Sequence, residues 1–144
     1  MRTWLLLAYK VPRDPTSARV FVWRRLKRFG AIALQDAVWV LPATQQSKEQ
    51  YQWLAAEIIE LKGDASVWEG RLTLSGQDEE MVCRFKDEVD DNYRQILTKL
   101  KRKRPDLAAL SREYQQVQAR DYFRSALGRK TREALIAARG DVQP

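Results

Sequence analysis

Arg19, Arg24, Arg25, Lys27 and Arg28 fall in one short segment, SARVFVWRRLKRFG, that contains no acid. Guanidinium forks match phosphate oxygens two at a time, and each phosphate neutralised by a cation releases condensed counterions. The chemistry on offer is contact with a polyanion, and it positions a strand without reading its sequence. A second cluster, KLKRKR at residues 99–104, adds Lys99, Lys101, Arg102, Lys103 and Arg104. The plainer alternative for both is solvation of a surface helix, with cations favoured near its C-terminal dipole end. The single sign of the first cluster weighs against that alternative, because ordinary surface helices intersperse both signs.

Other chemistry is narrowed by what the chain lacks. It has 144 residues and no histidine, which removes histidine acid/base catalysis, Ser-His and Cys-His nucleophile pairs and histidine metal sites. Gly63, Gly70 and Gly76 stand apart and match neither dinucleotide-binding nor P-loop spacing. Asp87, Glu88, Asp90 and Asp91 gather acids, and Asp87 and Asp91 sit one helical turn apart, but such clusters are most simply a solvated face. Cys83 reads as an exposed thiol off the apolar side of its helix, and as the lone cysteine it permits no internal disulfide. The five tryptophans, Trp4, Trp23, Trp39, Trp53 and Trp68, read as core and sheet-facing residues. No catalytic residue, cofactor or metal site is expected. The net charge of +7 favours nucleic acid or an anionic surface as partner, and 31% charged with 44% hydrophobic residues is an ordinary globular balance. No apolar run is long enough to cross a bilayer or to act as a signal segment, so a cytoplasmic protein is expected.

The elements that would carry these residues follow from periodicity. Residues 4–10 form a short apolar run ending at Val11 and Pro12, the pattern of a buried strand. Asp14, Pro15 and Thr16 read as a turn, with Thr16 or Ser17 capping a helix whose Ala18, Val22, Leu26 and Phe29 make one stripe. Arg24, Lys27 and Arg28 then face away from the stripe, Arg19 and Arg25 lie on its flanks, and Gly30 ends the helix in a left-handed conformation. Residues 31–35 and 37–41 read as two strands joined near Gln35 and Asp36 and stopped by Pro42. Ser47 is expected to precede a second helix reaching Lys62. Its apolar side is Tyr51, Leu54, Ala55, Ile58, Ile59 and Leu61, with Gly63 as its stop. Residues 67–74 complete a β-α-β-β-α-β order.

That order predicts an α+β fold: a ferredoxin-like antiparallel sheet over residues 1–75, both helices on one face, then a helical extension over residues 76–144 packed on it, the whole expected to make a single compact domain. The extension begins near Ser75 with a stripe of Met81, Phe85, Val89, Ile96 and Leu100, flanked by Tyr93 and Leu97. Pro105 interrupts it, and Asp106 caps a helix bearing Leu107, Leu110, Tyr114 and Val117. A shorter helix is expected between Gly128 and Gly140. Its apolar stripes require a cover: the sheet, the extension itself or another subunit. Acids outnumber bases seven to three over residues 76–98, and bases outnumber acids twelve to five over residues 99–144.

The segments WLLLAYKVP, VWRRLKRFGAIALQDAVWVLP and LAAEIIELKGDASV resemble the N-terminal domain of ChrB, the chromate-resistance regulator, over roughly two thirds of the chain. The same region is more distantly similar to a domain of the phenylacetate-pathway repressor PaaX and to CRISPR-associated spacer-acquisition subunits. The resemblance implies a ferredoxin-like fold that dimerises and a bacterial transcriptional regulator that binds promoter DNA of a chromate-resistance operon. It carries DNA contact onto Arg19, Arg24, Arg25 and Arg28. The CRISPR relatives place a metal-binding aspartate where Lys10 follows Tyr9 here, so no metal-dependent nuclease is implied. ChrB proteins continue into a C-terminal domain associated with chromate sensing, which these residues are not expected to include, and the winged helix of PaaX is likewise not expected.

The partners expected on this reading are double-stranded DNA and a second copy of the chain, with no membrane. The alternatives are an interaction module that docks a separately encoded sensor domain and a degenerate nuclease.

Overall fold

A computed structural model describes residues 2–14 and 16–142. The apolar run becomes β1 (Trp4–Lys10), in which Trp4, Leu5 and Leu7 are all buried. Such a strand needs cover on both faces and ladder partners on both sides. It pairs antiparallel with β3 (Val38–Pro42) and with β4 (Asp64–Gly70), and β2 (Ile32–Gln35) adds antiparallel to β3. The four-stranded antiparallel sheet therefore runs β2-β3-β1-β4. Contacts divide the chain into one unit at Met1–Glu80 and another at Met81–Pro144.

In the first unit, α1 (Thr16–Phe29) buries Ala18, Val22, Leu26 and Phe29, the stripe read from the sequence. Thr16 and Ser17 lie within its first turn, and the turn read before it includes Pro15, which is outside the described residues. At its other end Gly30 takes φ 80°. The Ala31 N–H donates to the Leu26 carbonyl (3.0 Å) and the Gly30 N–H to the Lys27 carbonyl (3.1 Å), a Schellman cap that satisfies carbonyls the helix leaves open. The β2–β3 turn closes with Ala37 at φ 66°, a left-handed conformation that costs a residue with a Cβ about 1 kcal/mol.

Helix α2 spans Gln45–Glu60, and its cap corrects the expected one. Thr44 is the N-cap and Ser47 lies three residues inside the helix. The Ser47 N–H donates to Thr44 Oγ1 (3.0 Å) and the Thr44 N–H donates to Ser47 Oγ (2.8 Å), a reciprocal capping box. Ser47 is fully buried, and its hydroxyl also donates to the Pro42 carbonyl (2.6 Å), tying the start of α2 to the end of β3. Tyr51, Leu54 and Ile58 form the buried side, and the Tyr51 hydroxyl donates to the Trp39 carbonyl (2.9 Å). Ile59 and Leu61, assigned to the apolar side above, are exposed: Ile59 falls off the Tyr51–Leu54–Ile58 line, and Leu61 is the C-cap, beyond the last helical residue Glu60.

The end of α2 is a second correction. Lys62, at φ 67°, takes the left-handed cap position, with its N–H on the Ile59 carbonyl (3.0 Å) and that of Gly63 on the Ile58 carbonyl (2.9 Å). Gly63 is required for another reason: a Cβ there would sit 2.3 Å from the Lys10 carbonyl oxygen. β4 starts at Asp64, earlier than the expected residue 67, because pairing with the whole of β1 extends the strand back to Lys10↔Asp64.

The second unit takes its core from α3 (Gln77–Leu100), α4 (Leu107–Ala119) and α5 (Ala126–Val142): Val89, Tyr93, Ile96, Leu110, Val117 and Leu135. Asp106 caps α4 as expected, accepting from the Ala109 N–H (3.1 Å). α5 is longer than the short helix expected from Gly128, because Gly128 lies inside it. A Cβ at Gly128 would meet the Tyr93 ring at 2.9 Å, so the glycine admits α5 against the aromatic ring. The Tyr93 hydroxyl donates to Asp121 (2.9 Å), whose carboxylate also accepts the Ser125 N–H. Ser125 caps α5 and bonds Asp90 through its hydroxyl. Phe85 meets Tyr122 and Phe123 edge-on.

Candidate nucleic-acid interface

Burying Ala18, Val22, Leu26 and Phe29 turns the opposite side of α1 to solvent, and the helical period decides which cations go with it. Arg19, Arg24, Lys27 and Arg28 are exposed. Arg24, Arg25 and Arg28 come together with Ser17, Val20 and Phe21 along a shallow groove of about 510 Å³ on one side of the helix. Arg19, Trp23 and Lys27, spaced four residues apart, form the other side, where the Lys27 ammonium lies 5.9 Å from the Trp23 ring centroid. Lys27 and Arg28 also occupy the last turn, where the helix dipole favours positive charge.

The five cations are not equivalent. Arg25 forms an ion pair with Glu57 of α2 (3.3 Å) and places its guanidinium over the Phe21 ring (5.1 Å). That charge is engaged within the fold, half-buried on the flank of the stripe. No carboxylate pairs with Arg19, Arg24, Lys27 or Arg28 among the described residues. Four of the five positions read from the sequence therefore present charge with no ion-pair partner among the described residues.

The second cluster lies in the other unit. Lys101, Arg102, Lys103 and Arg104 occupy the exposed turn that follows α3. The Lys101 N–H donates to the Thr98 carbonyl (3.2 Å) and that of Arg102 to the Lys99 carbonyl (3.2 Å), tightening the last turn of the helix. Lys99 is held by Glu113 of α4 (3.1 Å). Two of the four acids considered for a metal are engaged elsewhere, Asp90 with Ser125 and Asp91 with Arg94 (2.8 Å). Cys83 is exposed, as read.

Three tryptophans depart from the expected core placement. Trp4 and Trp39 are buried, but Trp23, Trp53 and Trp68 are 51%, 72% and 61% exposed. Trp68 sits on an outer strand and donates its indole N–H to Ser66 (2.7 Å), whereas Trp4 donates to Asp78 (2.9 Å). That bond, with the Arg2 N–H, holds the Asp78 carboxyl below its usual range. Trp23 is the telling case, because it shares its side of α1 with two cations.

Residues passed over in the sequence join Arg19 on that side. Lys10 and Arg13 line a groove of about 900 Å³ with Arg19 and Trp23, between the end of β1, α1 and the β2–β3 turn. Tyr9 lies there too; burial pushes its hydroxyl up, opposed by a bond from Trp39 and the charge of Arg19. The usable signal was the alignment of Arg19, Trp23 and Lys27 one turn apart.

A family described as "Protein ChrB, N-terminal" matches residues 19–108. The chain is also similar to Protein ChrB of Cupriavidus metallidurans, 30% identical over 83 residues, which is 58% of this chain and 24% of that protein. It thus spans about a quarter of the length of the curated relative it matches. Because the family match runs from the first cation of α1 through the basic turn and into α4, the chain belongs to the ChrB N-terminal family.

Proposed function

We propose that this chain is a DNA-binding module of a chromate-resistance transcriptional regulator, working in the cytoplasm as a homodimer and without catalytic activity. Its phosphate contacts come from Arg24, Lys27 and Arg28 on the outward face of α1, with Arg19 beside them and Lys101, Arg102, Lys103 and Arg104 as a second contact. Arg25 and Lys99 serve the fold instead, through Glu57 and Glu113. We read the sheet order β2-β3-β1-β4, with one helix in each crossover, as ferredoxin-like.

The observation that carries this reading is a helix face with several unpaired cations and no acid, in a chain of the ChrB N-terminal family. Charge of one sign on one face attracts a polyanion over several ångströms and is screened by salt. A gel-shift series with duplex DNA from upstream of the chain's own coding sequence tests the proposal. Binding that weakens steeply from low to moderate salt is the expected result; no binding at low salt refutes it.

A further inference from the structure

We propose that the groove between the end of β1, α1 and the β2–β3 turn binds a small ligand of the nucleotide class, a planar ring carrying a phosphate. This site goes beyond the DNA contact and does not depend on it. Lys10, Arg13 and Arg19 supply three cations, none of them paired with a carboxylate among the described residues. Forked guanidinium groups are the side chains best suited to a phosphate's oxygens. On α1, one turn from Arg19, Trp23 shows an indole that is 51% exposed, a platform on which any flat ring stacks. Gln35 and Asp36, from the β2–β3 turn, bring acceptors to the opposite side, where hydroxyl or amino donors of a nucleoside would lie.

Size and shape select the ligand class. A groove of about 900 Å³ falls in the range of small-molecule sites. The β-hairpin turn walls one side and α1 the other, so an ordered mononucleotide would be held between anion-binding and stacking groups. The site also explains why an exposed tryptophan stands among cations on α1, which phosphate contact alone does not require.

Isothermal titration of the full chain with AMP and with UMP, compared with adenosine and inorganic phosphate, separates the two halves of the site. Both nucleotides are expected to bind about tenfold or more tightly than either fragment, because stacking and charge act together. Trp23→Leu and Arg13→Glu each change an exposed side chain, and circular dichroism melts verify that both variants fold. Each is expected to weaken AMP about tenfold or more. Nucleotide binding no tighter than that of the fragments, or AMP affinity unchanged in either variant, overturns the proposal. No duplex binding by the unmutated chain, with its AMP binding as expected, would count against the regulator reading alone.

Discussion

Replacing Arg24 and Arg28 together by glutamine removes two of the three cations on the outward face of α1 while leaving its buried stripe untouched. Each phosphate contact contributes about 0.9 to the slope of log affinity against log salt. Arg24, Lys27 and Arg28 together should give a slope contribution of about 2.7, a loss of roughly 40-fold between 50 and 200 mM salt. The double variant should keep about 0.9, a loss of three- to fourfold over the same range. The difference, about 1.8, does not depend on what the turn after α3 adds, since both proteins carry that turn. Arg25→Gln is the internal control. Its pair with Glu57 predisposes it to serve the fold, so the variant should lose up to about 1 kcal/mol of stability, discounted because the pair is part-exposed, and little slope. Fluorescence anisotropy on a labelled upstream duplex and an unrelated duplex, at four salt concentrations, reads all three proteins. Wild-type slope in the double variant, or an equal drop in Arg25→Gln, refutes the reasoning.

Other perturbations test the frame around that face. Gly128→Ala puts a methyl 2.9 Å from a buried ring whose hydroxyl is already bonded to Asp121, so urea unfolding should show a loss of about 1–3 kcal/mol despite alanine's better helix propensity. Gly63→Ala drives a methyl into the Lys10 carbonyl and should lower the melting temperature, whereas Lys62→Gly relieves a left-handed residue and should add up to about 1 kcal/mol. Burial pushes Tyr122 from 10.0 up to about 12, and raises Tyr93 as well through burial and the Asp121 carboxylate. Because folding favours the protonated phenols, stability is full below pH 10 and falls as pH rises toward 12; Tyr122→Phe should flatten that fall in chemical denaturation.

The parts of the fold legible in the sequence are those decided by local pattern. Ala18, Val22, Leu26 and Phe29 repeat with the helical period, and Gly30 follows them where a left-handed residue is needed, so the buried stripe and the C-terminal end of α1 were legible, whereas Thr16 and Ser17, read as its cap, lie within its first turn. Thr44 and Ser47 are both good caps, and the pattern could not say that they share one capping box. The start of β4 was obscured by Asp64, Ala65 and Ser66, poor strand formers that extend because β1 offers them a complete ladder. Lys62 hid the true cap of α2, since lysine seldom takes a left-handed conformation and the glycine beside it drew the assignment. In the site, the positions of charge were legible but their partners were not. Glu57 and Glu113 reach Arg25 and Lys99 only through tertiary packing, and that separates structural cations from free ones. The tryptophans misled for a related reason: hydrophobicity marks a side chain as able to be buried, not as covered.

The rims of the sheet bear on how copies of this chain can meet. β2 is four residues long and shifts register between Ala33 and Gln35, and β4 carries Asp64 and Glu69, the latter held by Lys48 at 3.3 Å. A short, irregular strand at one end and carboxylates at the other are obstacles to strand-on-strand growth. Polymerisation into a continuous cross-chain ladder is therefore discouraged at both margins, which leaves side-chain surfaces as the favoured ground for any contact between copies.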